Sequence, residues 1–581
     1  MNNQEDILQN PEVDNKQLAN AMWHIANEMR GVANLRGGGV MMPLAAYVAM
    51  LMQDAGDDVA LREILELAGV SPSVEDFLLS SFDEKWMEVA RTLSHGPDKK
   101  VLRDFVLYYD FSSGAGKWFG EYGTPDCINR LALAILDIEP GEHVADFGCG
   151  YGNFLVAAAD AQPSGTYYGV EIDIAAACLA QIRMGLLGVA SAVEISDMLS
   201  SKPDARFDKV FSNYPFGMRL QKSGGVGEYY EEYSKGDTGF GRPASADWIF
   251  NKLICDGLAP NGKAVAIMTN GAGFNGGDKL ARKHFLDNGM IRAVVALPGN
   301  LFRYTMIATT LIVFGNNDGP VRFVDASDLT VPGRRWDTMG DDEIDEIVRR
   351  LSEDGDMSKL VTKDELAAAE YSLSASRYLG REIEMVNPTS IGELAESIER
   401  GAGLSAKDLD AISTDEDTGI SYLRLSDISD GRFASDLPRI QSLDAKLEKQ
   451  CLKNGDLIIS KNGAPFKVAV AEVPEGQTIL ANGNLYIIRL DTERADPSYV
   501  AAFLASEDGK ETMSRMVVGT SIPNLPLKNL KLIEIPLPRM DEQEKIANGY
   551  QARLDEIEVL KIKLEKARNG AASAYDEVMG R

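Results

Sequence analysis

The sequence predicts an α/β protein built on a doubly wound sheet, with a helical segment before it and a turn-rich β segment after it. Three observations carry this. Between about 115 and 320, short apolar runs alternate with helical ones. One of those runs, HVADFG (143–148), leads into glycines at 148, 150 and 152. Beyond about 388 the helical rhythm gives way to short strands punctuated by turn residues.

Residues 1–110 read as helical. LANAMWHIANEMRG (18–31) places Leu18, Met22, Ile25 and Met29 at helical spacing, and VALREILELAGV repeats the pattern as a core-facing stripe. Residues 111–385 form the α/β domain with its connector. HVADFG, TYYGVEI, DKVFSN, KAVAIMT, RAVVALP and TTLIVF are its strands, and AAACLAQIRMGLLG and GDKLARKHFLDNG are helices between them. Such an alternation puts a ligand at the carboxyl ends of the strands. The Gly-rich stretch 221–245 interrupts it and reads as a mobile loop beside the site or a plain flexible insertion. Residues 330–390 are charged and suit a helical connector. Residues 386–540, with YLRLSDISDGRF, LKNGDLIISKNGAPFKVAVAEV and LANGNLYIIRL, form a second, mixed domain. In 541–581, Ile546, Tyr550, Leu554, Ile557, Leu560, Leu564, Ala567 and Ala571 recur at steps of three and four, a seam that wants a partner helix.

Bulk properties narrow the function. A net charge of −29 counts against nonspecific grip on nucleic acid, though a basic groove can sit on an acidic body. Five scattered cysteines (Cys127, Cys149, Cys178, Cys255, Cys451) and four histidines offer neither metal-ligand spacing nor an even disulfide framework, so no metal is expected. The best apolar run, VMMPLAAYVAMLM (40–52), is too short for a bilayer and contains a proline. The acidic, polar start reads as neither a signal nor a transit peptide, so a cytoplasmic protein without membrane contact is expected.

The candidate site follows the strands. VADFGCGYGNFL (144–155) is a strand, an acid and then Gly148, Gly150 and Gly152, which let a turn pass close to a ligand. Asp146 at the strand end favours S-adenosylmethionine over a dinucleotide, since no pyrophosphate has to lie on the turn. Glu171 closes the next strand, spaced to accept hydrogen bonds from ribose hydroxyls. Asp197 follows, placed to meet the cofactor's adenine amino group. GEYGTP (120–125), with Tyr122, Thr124 and Pro125, would cover the cofactor from the other side. Each acid alone reads as a solvated loop residue. Their order ahead of VFSNYPFGMRL (210–220) is the signal.

That order, Thr124-Pro125, Asp146 to Gly150, Glu171, Asp197 and Asn213 to Phe216, resembles the amino-group DNA methyltransferases that modify adenine N6. In detail it resembles the modification subunit of type I restriction-modification systems, through MWHIANEMRG, GLAPNGKAVAIMTNG, MIRAVVALPGNLF, VRFVDAS and AAEYSLSASRYL. The domain from about 388 resembles a single target-recognition domain of a type I specificity subunit, through LKNGDLIISKNG, GTSIPNLPLKNLKLIEIPLP and DEQEKIA. The resemblance implies a Rossmann-like methyltransferase sheet and sequence-specific N6-adenine methylation of double-stranded DNA, in a restriction-modification or phage-defence system. The target adenine must leave the duplex. The Asn213 side chain and the carbonyl of residue 214 then accept its amino hydrogens, and Phe216 stacks on the base. Cytosine C5 chemistry would need a cysteine after a proline, and none of the five follows one.

Two positions depart from the family. It carries Asp/Asn-Pro-Pro-Tyr/Phe where this chain has Asn213-Tyr214-Pro215-Phe216, and usually an aromatic residue where this chain has Gly123. Tyrosine keeps the backbone carbonyl, and Pro215 holds its predecessor extended. The fixed φ of a proline is lost, and a bulky ring must find room. Retained fold, cofactor binding and activity are expected. Two rivals stay open: a DNA-binding defence or regulatory component with a silent core, and a protein-glutamine or RNA methyltransferase. One half-specificity domain implies a homodimer through the 541–580 helix, reading a bipartite site. No P-loop pattern is present, so any cleavage falls to a separate restriction subunit. Lys461, Asn462, Lys467 and Arg515 are the residues of the second domain placed to touch phosphates or base edges, each alone reading as a solvating side chain.

Overall fold

The computed structural model describes residues 38–56, 59–108, 123–220, 227–236, 238–302, 307–334, 336–380, 383–463, 465–517 and 523–579. They form two compact units, one ending at Leu379 and one beginning at Gly380. The helix expected over 18–31 lies outside the described residues.

The first unit opens with helices α1 (Gly38–Ala55), α2 (Leu61–Ala68), α3 (Pro72–Ser81), α4 (Glu84–Ser94) and α5 (Lys99–Tyr108). Leu44, Ala45, Ala46, Val48 and Ala49 are all fully buried, so α1 is apolar nearly all round and forms the centre of this bundle. Its core runs on into Ala176, Cys178, Leu179 and Ile182. These belong to α8 (Ile174–Leu187), which follows α6 (Asp126–Leu136) and α7 (Asn153–Ala161). Arg183 on α8 is fully buried and binds the bundle to the turn after the first strand. Its Nε donates to the Val106 carbonyl at 2.8 Å, and its Nη1 to the Tyr151 carbonyl at 3.0 Å and Asn153 Oδ1 at 2.7 Å.

The sheet has nine strands: β1 (His143–Phe147), β2 (Thr166–Glu171), β3 (Ala190–Ile195), β4 (Phe207–Ser212), β5 (Leu258–Thr269), β6 (Ile291–Ala296), β7 (Thr309–Phe314), β8 (Val321–Asp325) and β9 (Ser358–Val361). Their order is β3-β2-β1-β4-β5-β7-β6-β8-β9. β1 lies parallel to both β2 and β4, with Asp146 opposite Gly169 and Phe211. The strand order reverses between β1 and β4, which opens a crevice at their carboxyl ends.

All six strands read from the sequence lie in this sheet. Their directions were not legible, because β7 inserts antiparallel between β5 and β6. Every residue of TTLIVF is buried, and a run buried on both faces has the same composition whichever way it points. The described part of the Gly-rich stretch is also more structured than a mobile loop. Residues Glu228–Ser234 form a helix, and Tyr229, Tyr230 and Phe240 sit in the core beside helix α9 (Asp247–Gly257).

The second unit pairs Ala395–Arg400, Leu485–Leu490, Leu457–Ser460 and Val468–Val470 in one antiparallel sheet. A second four-stranded sheet joins Ser413–Thr414, Arg439–Ile440, Ile420–Leu423 and Thr478–Ala481. The long C-terminal helix spans Met540–Met579. Its start is anchored by buried Gln543, whose Oε1 accepts from the Asp496 N–H at 3.0 Å. The expected seam divides. Leu554 is buried and Tyr550 packs against this unit's own core, while Ile546, Ile557, Leu560 and Leu564 are exposed. Among the described residues no helix is long and apolar enough to cross a membrane.

Candidate active site

The turn after β1 is built for close approach. Gly148, Gly150 and Gly152 have φ of 78°, 53° and 77°, which disfavour any side chain. A Cβ at Gly152 would stand 3.0 Å from Ala180 Cβ, so the glycine also lets α8 pack against the turn. The N–H groups of Gly148 and Cys149 donate to the Val170 carbonyl at 2.9 and 3.0 Å.

Glu171, at the end of β2, folds onto this turn. Its Oε2 accepts from the Gly150 N–H at 2.8 Å and its Oε1 from the Asp173 N–H at 2.9 Å. Asp173 in turn caps α8 through the Ala176 N–H at 2.8 Å. Each Glu171 oxygen keeps a lone pair for a further donor. Asp146 stands behind, only 3 % exposed, with Oδ1 buried and unpartnered among the described residues. Burial, and then the charge of Glu171, push its carboxyl well above the usual range. Glu171 is raised too, by burial working against its backbone donors. Asp197 follows β3, half-buried, with Oδ1 accepting from the Leu199 N–H at 2.9 Å. The three acids thus stand at the ends of three adjacent strands.

β4 delivers the fourth group. Ser212 Oγ donates to the Phe147 carbonyl at 2.5 Å, tying β4 to β1 at this end. Asn213 Nδ2 donates to Thr124 Oγ1 at 3.1 Å, and Asn213 Oδ1 is buried without a partner among the described residues. Thr124, expected against the cofactor, is hydrogen-bonded to this amide. Pro125 is the N-cap of α6, and Tyr122 lies outside the described residues.

Tyr214 finds its room in the core. The side chain is 1 % exposed, its ring stacks on Phe250 at 4.8 Å and 17°, and its Oη donates to Asn251 Oδ1 at 3.0 Å. Burial pushes the phenol well above its usual range. The restraint that a proline would supply through its ring is here supplied by a stack and a hydrogen bond. Pro215 is exposed, and Phe216 is half-buried, edge-on to Phe302 at 5.2 Å. Phe250, Asn251 and Phe302 were not singled out in the sequence. One signal was present: a fully buried Asn251 in the apolar run DWIFNKLICDG must find a partner.

In the second unit, Lys467 Nζ donates to the Leu425 carbonyl at 2.9 Å, and Arg515 pairs with Glu511 on its own helix at 3.1 Å. Lys461 and Asn462 stand together where Leu457–Ser460 ends.

The nine-stranded α/β sheet, whose order reverses beside a glycine turn with acids on successive strands, is the part of the chain that matches a methylase family. Residues 104–385 match the N-6 DNA methylase family, and residues 384–569 match the type I restriction modification DNA specificity domain. The chain therefore joins an N-6 DNA methylase domain to a type I specificity domain in one polypeptide. It is 26 % identical over 344 residues to the methylase subunit of type I restriction enzyme MjaIX of Methanocaldococcus jannaschii, covering 53 % of this chain and 60 % of that one. It is 25 % identical over 164 residues to the MjaVIII specificity subunit of the same organism, covering 26 % of this chain and 38 % of that one. The crystal structure of the type I restriction-modification system methyltransferase subunit from Streptococcus thermophilus superposes with a TM-score of 0.48 at 21 % identity, covering 63 % of this chain and 99 % of that one. The chain spans less than two thirds of the length of the known methylase and specificity subunits it matches here.

Proposed function

We propose that this chain transfers the methyl group of S-adenosylmethionine to N6 of an adenine in double-stranded DNA, at sites chosen by its second unit. The observation that carries this is Asn213: a carboxamide oxygen buried without a partner among the described residues, at the strand-order reversal. A buried orphan acceptor costs stability unless a ligand supplies a donor. An adenine amino group supplies two.

The cofactor fits the same end of the sheet. Asp146 carries a second orphan acceptor, and Glu171, Asp197 and the turn at Gly148 and Gly150 complete the residues that would hold it. S-adenosylmethionine, when bound, supplies an electrophilic methyl on its sulfonium. The chain's own groups do the rest. Asn213 Oδ1 and the Tyr214 carbonyl accept the amino hydrogens and favour a nitrogen turning tetrahedral and positive. Thr124 holds the Asn213 amide with its oxygen turned to the substrate. Phe216, backed edge-on by Phe302, offers a face to the flipped base. Transfer is direct, with no covalent enzyme intermediate.

In this reading 111–385 is the catalytic domain, 386–540 the recognition domain and 541–581 the pairing helix of a homodimer. Its support is the row Ile557, Leu560 and Leu564, which is exposed and lies outside the core cluster of the described residues of its unit. The chain works within a type I-like restriction-modification or phage-defence system, beside a separate restriction subunit.

Single-molecule sequencing of DNA from a methylation-free bacterial host expressing the chain tests the reaction, beside an Asn213→Ala control. N6-methyladenine at one recurrent motif is expected. The control should lose at least about a hundredfold in rate, the scale for removing one transition-state hydrogen-bonding group. Protein that binds S-adenosylmethionine yet leaves every adenine unmodified would instead make the chain a DNA-binding component with a silent core.

A further inference from the structure

In the second unit, segments far apart in sequence meet at one end of the antiparallel sheet. Arg400 pairs with Tyr486, and Ser460 with Leu485, so three strands finish or start together. The backbone locks the loops beyond them. The Lys461 N–H donates to the Asn484 carbonyl at 2.7 Å, the Leu525 N–H to the Lys461 carbonyl at 2.8 Å and the Ala402 N–H to the Ala481 carbonyl at 2.7 Å. A Cβ at Gly401 would stand 2.1 Å from the Asn482 carbonyl oxygen, so only glycine permits this approach. The edge is therefore a rigid platform of the kind that can hold a recognition surface in register.

Three carboxamides run across it. Asn524 Nδ2 donates to Asn462 Oδ1 at 2.5 Å, and Asn462 Nδ2 donates to Asn484 Oδ1 at 3.3 Å. Among the described residues, Asn484 Nδ2 and Asn524 Oδ1 have no partner, which leaves a donor open at one end and an acceptor at the other. Reversing all three amides exchanges the two ends but still leaves one of each. Asn484 is exposed, and Asn462 and Asn524 are half-buried. The charge around them also departs from the rest of the chain. Segments 400–405, 460–467, 481–487 and 523–527 contain Arg400, Lys461 and Lys467 and no Asp or Glu, in a chain with 88 acidic and 59 basic residues.

We infer that the Asn462–Asn484–Asn524 amide relay reads base edges in the major groove, with Asn484 and Asn524 as specificity determinants at its two ends and Lys461 as a phosphate contact beside them. The inference rests on the proposed DNA substrate. Base edges in that groove present both acceptors and donors, so the open amide donor of Asn484 and the open acceptor of Asn524, at opposite ends of the relay, each meet a complementary group on a different base pair. Lysine and arginine supply only donors. Lys461 carries no information about sequence but positions the duplex.

The test is a selection from a randomised duplex pool by the full chain at fixed salt, with sequencing of what is bound. It compares the wild type with Asn484→Ala, Asn524→Ala and Lys461→Ala, each checked by thermal unfolding. The wild type should enrich one motif. Asn484→Ala and Asn524→Ala should each bind that motif at least about tenfold more weakly and relax the preference at a different base pair. Lys461→Ala should weaken all sequences alike and lower the salt slope by about one. Should Asn524→Ala unfold, the exposed Asn484→Ala decides alone. Asparagine variants that keep the wild-type motif and affinity would overturn the relay, leaving it a tie between loops while the DNA reading stands. A wild type that enriches no sequence would overturn both.

Discussion

At the carboxyl end of the first unit's sheet the decisive groups are buried and unpaired; at the edge of the second unit's sheet they are accessible and bonded to one another. Asp146 is 3 % exposed and Asn213 keeps a buried orphan oxygen, whereas Asn484 faces solvent. The contrast suits the two tasks proposed for these regions. A methyl transfer gains from acceptors already stripped of water, because charge then develops in a medium where dipoles act strongly. Reading many sequences until one fits needs groups that exchange water for base edges cheaply. The first region holds its motif in place through packing, as Tyr214 does on Phe250 and Asn251. The second holds its shape through backbone bonds and leaves its side-chain ends open.

The largest effect that could break this contrast is expected at Tyr214. Tyr214→Pro restores the familiar motif but removes a buried ring and leaves Asn251 Oδ1 without its donor. It should cost about 3 kcal/mol of stability and slow methyl transfer. Tyr214→Phe should cost only about 1 kcal/mol and lower kcat with KM for S-adenosylmethionine unchanged. Denaturant unfolding and steady-state kinetics check both, and a faster Tyr214→Pro enzyme would show the natural residue to be a handicap.

A smaller effect is expected at Asp146, and its sign is the informative part. A carboxyl raised in the folded state lends stability below its unfolded pKa, near pH 4, and loses it as pH rises through the folded value. Ionising Asp146 therefore weighs against the cofactor-free fold. Asp146→Asn should gain about 1 kcal/mol at pH 7, flatten the decline that begins above about pH 4, and bind S-adenosylmethionine at least about tenfold more weakly. Thermal unfolding across that range and titration calorimetry measure this. A variant less stable at pH 7 would mean that Asp146 is satisfied in the free protein.

The smallest effect on folding is expected on the C-terminal helix. Leu560 is 55 % exposed, so Leu560→Asp should change stability by less than about 0.5 kcal/mol yet abolish self-association through the seam. Leu554→Asp, at a buried position on the same helix, should destabilise the second unit itself. Sedimentation velocity beside thermal unfolding separates the two. A Leu560→Asp chain that still dimerises would place the contact elsewhere.

These two regions also differ in how far they could be read ahead of the fold. Asp146 and Glu171 lie at the ends of their strands and Asp197 and Asn213 follow theirs, and a sheet whose neighbouring strands run parallel brings such positions to one end. Their order along the chain was therefore enough to bring these four residues and the glycine turn to one end of the sheet. The periodicity of 541–580 likewise announced a helix, because spacing of apolar side chains is a local property. Packing settled the rest. Nothing in TTLIVF tells a buried strand which way to run, and the direction of β7 follows from its neighbours. Nothing beside Tyr214 names Asn251, 37 residues on, as its partner. Asn462, Asn484 and Asn524 became neighbours only once three strands and a returning loop closed on one another. Local rhythm is written residue by residue, whereas a contact between distant segments exists only when the chain has paid the entropy of bringing them together.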